Sequence, residues 1–191
     1  IHGGDGNDNI VMETYGNGSI YGGRGDDTLT LNGNGSLYGE NGNDTFYVNG
    51  SASALNGAQG DDTYYITKSA TSSDNLGNNI YYIASNGTNL SAGAGNDTFY
   101  VTGNNNTVAG GGGDDYFIVT GKNNYLDGGT GENYIVDNSV NGNNTAVGTK
   151  TDPNSGALMF TKKDQVLAFE VDGKTYTVTN NNINGNGVDK N

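Results

Sequence analysis

Cysteine and tryptophan are absent from this 191-residue chain, proline and histidine occur once each, and lysine and arginine together number only 8. Without cysteine there are no disulfides and no thiolate metal sites. The single histidine, His2, has no Ser/His/Asp setting, and no helix-borne carboxylate pair is spaced for acid–base work, so the chain reads as non-catalytic. Eight cations against 21 carboxylates leave a net charge of −13 and no basic patch, which argues against nucleic acid and anionic membrane surfaces as partners. No apolar run is long enough to span a bilayer, and no charged-then-apolar leader opens the sequence at Ile1; the expectation is a fragment of a larger protein that does not insert into membranes. With 32% hydrophobic residues, a conventional globular core is hard to build.

Glycine is what the chain has in excess, at 34 residues, and it is periodic. A hexapeptide recurs eight times, as GGDGND, GGRGDD, GENGND, GAQGDD, DNLGNN, AGAGND, GGGGDD and GGTGEN, ending on Asp8, Asp27, Asp44, Asp62, Asn79, Asp97, Asp115 and Asn133. The intervals are 19, 17, 18, 17, 18, 18 and 18 residues, and a fixed short period means a solenoid. After each hexapeptide comes a period-two stretch such as Thr45-Phe46-Tyr47-Val48 or Thr98-Phe99-Tyr100-Val101, which predicts a strand. Its second and fourth positions are apolar in seven copies and should face inward; the eighth pairs Ile135 with Asp137 and frays. A weaker strand precedes each hexapeptide, marked by Ile20, Leu37, Leu55, Leu90, Val108 and Leu126, with Ser72 breaking the series. The fold class is therefore all-β, a parallel β-roll or β-helix of about eight coils of ~18 residues, roughly 40 Å long at a strand spacing of about 4.8 Å.

The opposite turns read Asn17-Gly18, Asn34-Gly35, Asn86-Gly87, or Gly103 followed by Asn104 to Asn106, almost free of carboxylate, and are expected to supply positive backbone dihedrals and no ligands. Near Thr151-Asp152-Pro153 the composition changes, which divides the chain into a roll over 1–150 and a tail over 151–191. Residues 1–150 hold 16 acidic and 4 basic residues, against 5 and 4 in the tail. The tail's Asp172-Gly173 sits between alternating apolar runs and predicts a β-hairpin that caps the open end of the solenoid, followed by a polar stretch.

The copies Gly3 to Asp8, Gly22 to Asp27 and Gly110 to Asp115 resemble the GGxGxDxUx nonapeptide of the RTX family, the calcium-binding β-roll of bacterial proteins exported by type I secretion. The resemblance covers about residues 1–137 and implies several Ca2+ ions between stacked loops of one edge, in a secreted or cell-surface protein. It implies as ligands the carboxylates of Asp8, Asp27, Asp44, Asp62, Asp97 and Asp115 with carbonyls of Gly4, Gly6, Gly23, Gly25, Gly42, Gly60, Gly95, Gly111 and Gly113. Asn79 and Asn133 replace the aspartate and weaken or empty their sites. Calcium takes six to eight oxygen ligands, carbonyls included, and extracellular modules bind it at about 10⁻⁴ to 10⁻³ M, so the chain is expected to fold on extracellular calcium.

The function this implies is a non-catalytic structural and secretion-folding module of an adhesin, surface-layer protein or toxin. The alternatives are the C-terminal part of a secreted hydrolase or epimerase, or a calcium-dependent ice- or sugar-binding module. Ice binding is disfavoured by the irregular series Asp5, Arg24, Asn41, Gln59, Leu76, Ala94, Gly112 and Thr130 at the outward loop position. The outward strand position carries Tyr47, Tyr65, Tyr82 and Tyr100, which read either as a carbohydrate or protein-binding face or, preferred here, as cross-strand stacking. Gly110 to Gly113 has no following Lys-Ser/Thr and is not a phosphate loop.

Overall fold

The computed structural model describes residues 1–13, 17–73, 76–151, 166–171 and 174–179. Its described strands are β1 (His2–Asp5), β2 (Asn9–Met12), β3 (Gly18–Arg24), β4 (Thr28–Leu31), β5 (Gly35–Asn41), β6 (Thr45–Val48), β7 (Ala52–Gln59), β8 (Thr63–Ile66), β9 (Ala70–Ser73) and β10 (Ile80–Ile83). They continue with β11 (Asn89–Ala94), β12 (Thr98–Val101), β13 (Thr107–Gly112), β14 (Tyr116–Val119), β15 (Tyr125–Thr130), β16 (Asn133–Asp137), β17 (Thr145–Val147) and β18 (Thr149–Thr151). Last come β19 (Val166–Val171) and β20 (Lys174–Thr179). Odd strands to β17 form one nine-stranded parallel sheet and even strands to β18 form the other, so each coil gives one strand to each face of a β-solenoid. This is the expected architecture, coils of about 18 residues included.

Alternation decides what is inside. Leu29 and Leu31, Phe46 and Val48, Tyr64 and Ile66, Tyr81 and Ile83, Phe99 and Val101, and Phe117 and Val119 are fully buried, as are Ile20, Leu37, Leu55, Val108 and Leu126 from the facing sheet. Ile135 is buried while Asp137 is exposed, the fraying expected of the eighth coil. Parallel in-register pairing stacks like on like, so Phe46, Tyr64, Tyr81, Phe99 and Phe117 form a continuous column with centroids 4.5–5.1 Å apart. Ser72, where the series has leucine, stays buried by donating its hydroxyl to the Leu55 carbonyl (3.3 Å). The interval of 18 residues between Asp44 and Asp62, set between two of 17, is absorbed in β7, whose register slips against β5 and β9. Ser53 sits at that slip and bonds back to the Gly35 carbonyl (3.1 Å), as in a β-bulge.

One backbone position is held by Gly4 and Gly23 in the first two coils, at φ 115° and 121°, but by Glu40 in the third, at φ 81°. A side chain there costs conformational energy that glycine avoids. Glu40→Gly is therefore expected to raise stability by about 0.5–1 kcal/mol, read as a higher denaturant midpoint at unchanged slope.

In the tail, β19 and β20 pair antiparallel, with Phe169 opposite Tyr176. This is the expected hairpin; its turn at 172–173 and the polar stretch after it lie outside the described residues.

Candidate metal centre along the loop edge

The Gly-rich loops turn the chain from the first sheet to the second along one edge of the rod. Gly4, Gly6, Gly23, Gly25, Gly42, Gly60, Gly95, Gly111 and Gly113 all have positive φ, between 110° and 136°. At Gly23 the neighbouring coil leaves no alternative, because a Cβ would run into the Gly4 carbonyl oxygen. The repeat glycines thus let consecutive loops nest at strand spacing and bring their carbonyls between the coils.

Each loop ends in two Asx-type residues that build two separate ladders. In the inner ladder the backbone N–H of each coil donates to the side chain of the coil after it: Asp8 to Asp27, Asp27 to Asp44 and Asp44 to Asp62 at 2.7 Å each. It continues from Asp62 to Asn79, Asn79 to Asp97, Asp97 to Asp115 and Asp115 to Asn133 at 2.7–2.9 Å, always on Oδ1. Asp27, Asp44, Asp62, Asp97 and Asp115 are each 1% exposed. The outer ladder runs in the opposite direction, from the N–H of Asp26 to Asn7, Asn43 to Asp26, Asp61 to Asn43, Asn78 to Asp61, Asn96 to Asn78, Asp114 to Asn96 and Glu132 to Asp114. Sequence reading missed this outer series; its signal is an Asx or Glu immediately before every inner residue. Asn79 and Asn133 lie in the inner ladder with the aspartates, and the predicted metal residues all fall on this one edge.

The second oxygen of the inner carboxylates is the chemically telling atom. Oδ2 of Asp8, Asp27 and Asp115 is buried and accepts no hydrogen bond. Asp27 Oδ2 fills the place a Cβ on Gly22 would take, and the Gly39 carbonyl oxygen of the next coil is 2.8 Å from that same point; Asp115, Gly110 and Gly128 repeat this at 3.0 Å. Acceptor therefore lies beside acceptor. The two asparagines of the same ladder show what the place wants: Asn133 Nδ2 donates to the Gly148 carbonyl (3.2 Å) and Asn79 Nδ2 to that of Leu76 (3.4 Å). A carboxylate cannot donate, and leaving it buried and uncompensated is costly.

The protonation equilibrium registers the same conflict. Burial pushes the Asp115 carboxyl up to about 6, outweighing the N–H of Asp97 that favours the anion. Burial likewise raises Asp27 against the N–H of Asp8. A carboxyl with a folded pKa above its unfolded value near 3.8 takes up a proton on folding, so its folded form loses stability as pH rises from about 4 to about 6. Without divalent cations the chain is accordingly expected to show a cooperative melting transition at pH 4.5 and none at pH 7.5, by differential scanning calorimetry.

The donor set suits calcium. Among the described residues no three His, Cys, Asp or Glu side chains converge, so a site built from side chains alone is not present. A buried carboxylate oxygen from Asp8, Asp27 and Asp115, with carbonyls of nested loops near it, suits a large hard cation with flexible coordination better than magnesium, which demands a rigid octahedron. Asp8, Asp27 and Asp115 are the residues whose orphan oxygens would hold it.

The opposite edge supplies positive φ in part where expected and adds a role for its asparagines. Positive φ falls on Gly87 and Asn105, as expected, and on Asn123, whereas Gly18 and Gly35 begin strands. Asparagine side chains build a ladder of their own: the N–H groups of Thr88, Asn106 and Asn124 donate to Oδ1 of Asn106, Asn124 and Asn144 at 2.8 Å each. Their amides donate to the carbonyls of Ser85, Gly103 and Gly121 at 3.0–3.1 Å. This is the Asp ladder rewritten in amides and satisfied without a cation.

Tyr47, Tyr65, Tyr82 and Tyr100 stack at 4.8–5.0 Å and within 9° of parallel. Their faces lie against one another and their edges point outward, the arrangement of the stacking reading. A second stack, His2 on Tyr21 on Tyr38 at 4.5 and 4.9 Å, lies on the other sheet and was not anticipated.

Comparison of the chain with protein-family models, with characterised proteins and with solved structures finds no match.

Proposed function

We propose that the chain is a calcium-binding solenoid module of RTX type, non-catalytic, which folds on extracellular calcium and serves as a structural and secretion-folding part of a larger secreted or cell-surface bacterial protein. The observation that carries the calcium reading is the row of buried aspartates whose Oδ2 atoms at Asp8, Asp27 and Asp115 have carbonyls for neighbours and no donor. Bound there, calcium would supply the positive charge that amide N–H groups supply at Asn79 and Asn133. The chain's own residues do the rest: the glycines nest the loops, Oδ1 ties each coil to its neighbour, and Oδ2 of Asp8, Asp27 and Asp115 would meet the ion. The net charge of −13 favours cations over any anionic partner. Export and surface location rest on the motif resemblance alone.

Calorimetric titration with calcium, with ions counted by native mass spectrometry, tests this. The expected result is uptake of at most about seven ions, one per loop gap, at roughly 10⁻⁴ to 10⁻³ M. Asp27→Asn should lower the count, and absence of heat and mass change at 10 mM calcium, far above that range, would refute the proposal.

A further inference from the structure

The outward face of the second sheet changes character along the rod. One register position passes through Val11, Thr30, Tyr47, Tyr65, Tyr82, Tyr100, Ile118 and Val136, and alternation points all of these away from the core. Thr30 and the four tyrosines are half-buried, as expected of side chains with neighbours on either side and solvent above. Ile118, however, is 0% exposed and Val136 7%, whereas Val11 at the other end is 49% exposed. Strand neighbours shield the flanks of an outward side chain and leave its tip open, so full burial of Ile118 requires a layer above the sheet at the last coils.

We propose that the hairpin β19–β20 lies against this face, over Ile118 and Val136, docking on the side of the rod and not on its end. A two-stranded hairpin is marginal by itself and needs a partner surface. The pairing register sets Leu167 opposite Val178 and Phe169 opposite Tyr176, so apolar positions coincide across the two strands. Fourteen residues separate Thr151 from Val166, a reach of about 46–50 Å when extended. Thr151 ends β18, which pairs with β16, itself the neighbour of β14, so the face to be covered begins about 5 Å away at Val136 and reaches Ile118 at about 10 Å. Tyr65, Tyr82 and Tyr100, which lead up to the covered end, have phenols raised above their usual range by burial. The inference is independent of the calcium reading, and calcium is kept present throughout its test.

The test uses the full chain, which has no cysteine, so Ile118→Cys introduces a unique thiol. Its reaction with a soluble aromatic disulfide is expected to be about 100-fold slower than that of Val11→Cys, because modification must wait for local opening. Adding Phe169→Asp or Tyr176→Asp should bring the rate to that of Val11→Cys, with the strand circular dichroism retained. Protection that survives both hairpin substitutions would overturn the proposal in favour of another part of the tail. Protection that fades on dilution would overturn it in favour of a second copy. As a check free of the cysteine, the Ile118 methyl resonance in the otherwise native chain should shift on Phe169→Asp, and an unmoved resonance counts against the hairpin.

Discussion

Excess chelator at pH 7.5 is expected to abolish the strand circular dichroism of the roll, and millimolar calcium to restore it. The size of the effect follows from the inner ladder. Consecutive ladder positions lie one strand spacing apart, and two carboxylate charges at about 5 Å repel by about 3 kcal/mol at an effective dielectric of about 20. The ladder holds four neighbouring Asp pairs: Asp8 with Asp27, Asp27 with Asp44, Asp44 with Asp62, and Asp97 with Asp115. Together these reach roughly 12 kcal/mol, within the whole stability of an ordinary domain at about 5–15 kcal/mol. The core offers little in reserve, being one layer of inward side chains per sheet. Cations lodged between loops reverse the sign of this term and contribute in addition through mass action on the folded state. A strand spectrum that persists unchanged in chelator at pH 7.5, with bound metal shown to be gone, would defeat the calcium reading. Magnesium at the same concentration is expected to restore the fold poorly.

The parts of this molecule that were legible in the sequence are those governed by a local period. Inward and outward positions follow from alternation, so the column from Phe46 to Phe117 could be read residue by residue. The positive-φ glycines could be read because no other residue nests there so cheaply. The ladders were not legible as such, since a bond from Asp8 N–H to Asp27 Oδ1 depends on how coils stack and on the direction each side chain takes. Only the regularity of the column Asn7, Asp26, Asn43, Asp61, Asn78, Asn96 and Asp114 hinted at a second series. The rungs of the Asn edge were missed for a related reason: Asn106 and Asn124 look like turn residues, and their role as buried rungs appears only when coils are superposed. The burial of Ile118 was invisible because whatever covers it comes from outside its own repeat.

Replacing Asp8, Asp27, Asp44, Asp62, Asp97 and Asp115 all by asparagine is expected to produce a chain that folds without calcium and ignores it when added. Asparagine keeps Oδ1, so every rung that accepts a backbone N–H survives. It exchanges Oδ2 for a donor in a place where Asn133 and Asn79 already donate to carbonyls. The opposite edge shows that such a ladder can be continuous, from Asn106 through Asn124 to Asn144. Removing the mutual repulsion and adding about 1 kcal/mol per new hydrogen bond should give the variant a cooperative melting transition in chelator at pH 7.5, where the wild type shows none. The stabilisation that acid gives the wild type should vanish too, since no carboxyl remains in the inner ladder to take up the proton. Substitution of the same six positions by alanine separates the two roles of the aspartates: it also removes the charge but deletes Oδ1, strands the N–H groups of the coils below, and is expected to fold in neither condition. If the asparagine chain unfolded in chelator as the wild type does, the carboxylate charge of the inner ladder would not be the source of the calcium requirement. If instead it folds and fails to bind, the carboxylates of this edge are both what destabilises the empty solenoid and what holds the ion that rescues it.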